Sequence, residues 1–276
     1  MSTPDSAATT TPAKPPAFMR PGIGLMRRIS MKAKLLGIAS VLVVPLIFAM
    51  VSLTQHLLDD IRIAEAELDG VSAVEALTDV VLHIQTHRGL TNRVLSGDEA
   101  AKAPRDATRQ KLKEALSTVD AVSRDKPQLA LGKQWPAQRQ AIEALTADSN
   151  NEPRPKQFAA HSAQVSQLID MVDYVGETSG LLFDPMPATY FLMDVMVSRT
   201  LPWVEAMGVL RGSGAGLLAR GDASSVEIAS ALGLLHDIQS LTHGIDQRMQ
   251  SLQRQGEAPP ALWADTQAQV NTYVAA

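Results

Sequence analysis

The stretch LLGIASVLVVPLIFAMVSL, Leu35 to Leu53, decides how the rest of the chain is read. It contains no charged side chain, and as a helix it would span roughly 28 Å, close to the hydrocarbon thickness of a bilayer. Its Leu, Ile, Val and Phe side chains favour lipid over water by roughly 4 to 7 kcal/mol in sum, before small penalties for its polar residues and proline. Pro45 predicts a kink, which a spanning helix tolerates because neighbouring groups re-satisfy the freed carbonyl. Two alternatives stand beside the spanning helix. A buried core helix is normally shorter, and a cleaved signal peptide has an apolar run of about 7 to 15 residues ending in a small-x-small site. This run is longer and passes directly into Thr54-Gln55-His56.

Charge on either side of the stretch sets its direction. Arg20, Arg27, Arg28, Lys32 and Lys34 precede it, whereas Asp59, Asp60, Glu65, Glu67 and Asp69 follow it with only Arg62 against them. The positive-inside rule then predicts a cytoplasmic N-terminus and a body on the outer side of the bacterial cytoplasmic membrane. Residues 1–22 are rich in Ser, Thr, Ala and Pro and cannot bury a core. The expected organisation is a disordered basic tail over 1–34, a membrane helix over 35–53 and an extracytoplasmic domain over 54–276.

That domain reads as all-α. Of its 276 residues the chain has 45% hydrophobic but only 4% aromatic, so the apolar mass is aliphatic, which favours helices over sheets. Leu57, Ile61, Ala64, Leu68, Val71, Val74, Leu77, Val81 and Ile84 recur at spacings of three and four. They predict one long helix from the membrane to about Leu95, loosened near Gly70 and closed by Gly97 and Asp98. Further helices are expected over Ala100 to Val122, Ala137 to Ala147, Gln157 to Leu182, Ala188 to Ala219 with a break at Pro202, and from beyond Asp222 to Gln255. A last helix starts at Ala261 and meets Ala276 without a cap, which predicts a chain truncated before a second membrane helix. The membrane helix is expected to continue into an elongated or stacked four-helix bundle, paired as a homodimer through its first helix.

Several functions lose support at this level. The formal charge of −4 includes the basic tail, so the body is more acidic still and offers no clustered Lys and Arg for nucleic acid. Without cysteine there is no disulfide or thiol chemistry. No phosphate-binding glycine loop, HExxH or GxSxG phrase occurs, so neither an enzyme nor a cofactor is expected. His83 and His87 lie four apart and could face one metal, but no third ligand is evident. His236 and His243, seven apart, are weaker candidates still. Asp184, Asp194 and Glu205 have no spacing that defines a catalytic pair and are read as caps and solvated positions.

More informative are two Arg-Gly phrases, Arg88-Gly89 and Arg211-Gly212, each followed by a similar helix exit at Ser96-Gly97-Asp98 and Arg220-Gly221-Asp222. Glycine inside a helix costs about 1 kcal/mol relative to alanine, so it points to close packing or to a ligand pocket. If the two helices adjoin, paired guanidinium groups could converge on an anion.

IQTHRGL at Ile84 to Leu90, LLFDPMPATYFLMD at Leu181 to Asp194 and the following LPWVEAMGVLRGSGAGLLARG give the chain a resemblance to the periplasmic sensory regions of bacterial methyl-accepting chemotaxis proteins. The first phrase is also similar to the Arg-Gly motif of nitrate- and nitrite-sensing helical domains. By that similarity Arg88 and Arg211 would contact a small anionic ligand, with His87, Gly89 and Gly212 beside them. His87 stands where such domains commonly have Glu, so the resemblance names no particular ligand. It implies a receptor that returns to the cytoplasm through a second spanning helix to a chemotaxis, histidine kinase or cyclase output. A membrane-anchored bundle that holds another protein is the competing class.

Overall fold

The computed structural model describes residues 30–148, 150–183 and 185–275. Among them every regular element is helical and no strand occurs, so the chain is all-α. Helix α1, Met31–Val94, is 64 residues long and continues through Pro45. No side chain from Leu35 to Leu53 is buried, and Val41 and Phe48 are 72% and 75% exposed. A core helix would hide such side chains, so that alternative fails. The segment is long and apolar enough to cross a membrane. Most of the tail expected over 1–34, up to residue 29, lies outside the described residues, as does Asp184.

Two compact units divide the chain, Met1–Ile61 and Arg62–Ala276. The second contains the remaining helices: α2 (Lys102–Asp125), α3 (Trp135–Thr146), α4 (Arg154–Thr178), α5 (Pro187–Met193), α6 (Thr200–Arg220), α7 (Ser225–Arg254) and α8 (Trp263–Ala275). Its first core is built chiefly by four helices. Leu77, Val80 and Ile84 of α1 meet Leu112, Leu116 and Val119 of α2, Ile142 of α3, and Val165, Leu168 and Val172 of α4. In α1, α2 and α4 these residues recur at three- and four-residue spacing, the pattern that puts side chains on one face.

Gly70 does not loosen α1. The helix runs through it, and a Cβ there would strike the Ser179 side chain and stand 2.9 Å from Leu181 Cδ1. Its helix-propensity cost of about 1 kcal/mol is offset by the close approach of the chain that follows α4. At the other end α1 stops as expected. Gly97 takes φ 95°, and Asp98 accepts from Ala100 N–H at the start of a short 3₁₀ turn, Glu99–Ala101.

A second core lies among α6, α7 and α8, where Trp203 and Ala206 pack with Ile238, Ile245, Met249 and Val270. The segment joining the two cores is Asp194–Arg199, a π-helical stretch between α5 and α6. Val197 and Leu201 belong to the first core, Val195 and Trp203 to the second. The break expected at Pro202 therefore falls just before it. Proline has no N–H for the carbonyl four residues back, and its ring crowds that carbonyl; the wider turn immediately upstream accommodates both.

Asp194 is not a solvated position. It accepts from Arg199 Nε at 2.7 Å and from Arg248 Nε at 2.5 Å, tying the π-helical stretch to α7. Burial works to raise its carboxyl, but the two arginines outweigh that and hold it below the usual carboxylate range. Helix α7 opens on a capping box in which Ser224 and Glu227 satisfy each other's backbone N–H groups.

Candidate functional site

Periodicity places Gln85, Arg88 and Asn92 on one face of α1, and Val204, Gly208, Arg211 and Ala215 on one face of α6. These faces meet across a cleft of about 850 Å³, closed at its sides by Phe158 of α4 and Tyr273 of α8. Both Arg-Gly phrases line it. The helices carrying them do adjoin: a Cβ built on Gly89 would lie 4.0 Å from the Arg211 guanidinium.

The two arginines have different surroundings. Arg88 is only 3% exposed, and Glu205 binds it in a two-pronged pair, Nη1 to Oε1 at 2.5 Å and Nη2 to Oε2 at 3.0 Å. Its Nη1 also donates to Ser162 Oγ at 2.7 Å, and its guanidinium lies 5.1 Å from the centre of the Phe158 ring. Gln85 Nε2 donates to the same carboxylate at 2.9 Å. Glu205 is thus neither a cap nor a solvated residue; it is the counter-ion of a buried charge. A planar fork and a matching carboxylate form the strongest common protein ion-pair geometry, and removing one partner of a buried pair strands the other. Arg211 is exposed and forms no ion pair among the described residues.

Glycines make this packing feasible. Gly208, Gly212 and Gly216 are spaced four apart along α6. A Cβ on Gly208 would come within 2.9 Å of Arg88 Nη2, one on Gly212 would strike the Phe158 ring, and one on Gly216 would lie 3.5 Å from Arg154 Nη2. Gly212 therefore serves the ring beside Arg88 rather than its own neighbour Arg211. This small-residue ridge, legible as a four-residue repeat in Gly208 to Gly216, went unread in the sequence, as did Phe158, Ser162 and Tyr273. Tyr273 Oη donates to the Met207 carbonyl at 3.1 Å, and burial raises its phenol pKa despite the nearby Arg211 charge.

His87 turns away from the cleft into the first core. Its Nδ1 lies 2.9 Å from His161 Nε2, the rings stack at 5.2 Å, and both side chains are buried. Because His161 Nδ1–H donates to the Gln157 carbonyl at 2.7 Å, His161 Nε2 is the acceptor and His87 Nδ1–H the donor. Burial, reinforced by the neighbouring His161, lowers the His87 pKa to about 3; burial likewise lowers that of His161 to about 4. Both are neutral at ordinary pH. His87 is buried beside His161, and no three metal-ligating side chains gather among the described residues.

Chemically, the cleft offers one uncommitted guanidinium, a locked ion pair, the side-chain amides of Gln85 and Asn92, and walls of Leu, Val, Met and aromatic side chains. Such a set suits binding and orienting an anion by charge and shape. Comparisons of the chain with family models, with curated proteins and with solved structures found no match.

Proposed function

We propose that this chain is the extracytoplasmic ligand-sensing module of a bacterial transmembrane receptor of the chemoreceptor type, held in the cytoplasmic membrane by the first part of α1. The observation that carries the reading is the meeting of the two Arg-Gly phrases across one cleft, where Arg211 has no ion-pair partner among the described residues. A small anion bound there would favour one packing of α6 against α1 over another, and that differential affinity is the source of a signal. Arg20, Arg27, Arg28, Lys32 and Lys34 before the apolar stretch, against Arg62 alone in the twenty residues after it, support the outward placement. The exposed seam of Leu57, Ile61 and Leu68 supports pairing of two copies through α1. Sensor regions of histidine kinases and diguanylate cyclases share this logic, and the output type is set outside the cleft.

The absence of cysteine gives a clean test of placement. Single variants Ala223→Cys and Ser30→Cys are treated in intact cells with a membrane-impermeant maleimide. Labelling at 223 and protection at 30 are expected; the reverse pattern overturns the outward orientation. Thermal stabilisation of the chain by small anions, lost in Arg211→Ala, is the matching test of sensing.

One observation favours a second reading. Leu218, Val226 and Leu232 are 85%, 73% and 60% exposed around the α6–α7 turn, an apolar surface suited to another protein. Under that reading, charged substitutions there abolish cellular function while Arg211→Ala leaves it intact.

A further inference from the structure

Counting charges in the cleft narrows the ligand class, and this inference rests on the reading of the cleft as a sensory site. Arg88 is cancelled by Glu205. Arg93, on the rim, is cancelled by Asp98, which it meets through Nε at 2.8 Å and Nη2 at 2.6 Å. Among the described residues that line the cleft, Arg211 alone keeps its charge, so they carry a single net positive charge.

Volume and lining supply the second constraint. At about 850 Å³ the cleft falls in the range of roughly 300 to 1,000 Å³ that accommodates organic ligands. Its walls include Leu82, Leu90, Phe158, Val204 and Met207. A bare inorganic anion on Arg211 would leave those apolar walls uncovered, whereas an organic body would remove them from water. The Tyr273 hydroxyl, already donating to Met207, can offer the ligand only an oxygen lone pair.

We propose that the cleft takes an organic monocarboxylate with an apolar, ring-sized body, its carboxylate on Arg211 and its body against Phe158 and Met207. Glu205 is then the specificity-determining residue. By occupying Arg88 it withholds the second positive charge that a dicarboxylate would need.

Calorimetry on the full chain in detergent tests this with three probes: phenylacetate, nitrate and succinate. Wild type is expected to bind phenylacetate at least tenfold more tightly than either other anion, and Arg211→Ala to lose at least tenfold in phenylacetate affinity. Glu205→Gln frees Arg88 and is expected to reverse the preference toward succinate. Because that variant strands a buried charge, the double variant Arg88→Gln with Glu205→Gln serves beside it: the net charge stays the same, so the wild-type preference must persist. Nitrate binding as tightly as phenylacetate, with loss in Arg211→Ala, overturns the ligand class while leaving the sensory reading in place. A double variant that switches to succinate overturns the role of Glu205. Absence of binding by all three probes overturns the inference and removes the sensory reading with it.

Discussion

Arg88-Gly89 and Arg211-Gly212 are the same dipeptide on two facing helices, and the fold uses them in opposite ways. The first arginine is buried, held by Glu205 and Ser162 and faced by an aromatic ring, while the second lines the cleft without a carboxylate partner among the described residues. The glycines differ as well. Gly89 has ordinary room around it, whereas Gly212 abuts the Phe158 ring. A charge in a motif is available to a ligand only if nothing inside the protein has already neutralised it.

The largest expected effect sharpens that contrast through stability. Arg88→Ala leaves the Glu205 carboxylate largely buried and unpaired and is expected to cost about 3 to 5 kcal/mol in urea unfolding. A loss below about 1 kcal/mol would mean that the pair does not brace α1 against α6. Gly212→Ala comes next, at about 1 to 3 kcal/mol, because Phe158 must move. Gly89→Ala, with space for its methyl group, should instead be neutral or gain up to about 1 kcal/mol from helix propensity. Equal behaviour of the two glycine variants would break the comparison.

The histidine pair gives an effect that depends on pH rather than on a single lost contact. Both imidazoles remain neutral in the fold down to about pH 3 to 4, while in the unfolded chain they take up protons below about 6.5. The unfolded state therefore binds more protons throughout that window, and stability falls as pH drops through it. Each imidazole contributes a slope of up to about 1.4 kcal/mol per pH unit. A melting-temperature series from pH 7 to 4.5 should decline in wild type and flatten in His87→Asn with His161→Asn; equal slopes would contradict a buried neutral pair. The smallest effect belongs to Arg211→Ala, which is expected to change unfolding stability by no more than about 0.5 kcal/mol.

Much of the helical layout was legible in the sequence because it is written locally. The three-and-four spacing from Leu77 to Ile84, the stop at Gly97 and the restart after Asp222 each follow from backbone periodicity or capping. What was not legible depends on partners far along the chain. Glu205 reads as a solvated carboxylate until α6 brings it to Arg88, and Gly70 reads as a weak point until Ser179 packs on it. His87 sits one residue before Arg88, yet the roughly 100° turn between successive helical residues sends it toward His161 rather than the cleft. Pro202 marked a disturbance in the right place, but the π-helical stretch upstream absorbs it, because that stretch must serve two cores at once.

The most direct test of the account is hydrogen–deuterium exchange on the full chain with and without saturating phenylacetate, repeated with nitrate. Protection concentrated in residues 85–93 of α1 and 204–215 of α6 is expected for whichever anion binds, with no such change in Arg211→Ala. Protection confined to other helices, or protection that survives the loss of Arg211, would contradict the proposed anion site between the two Arg-Gly phrases.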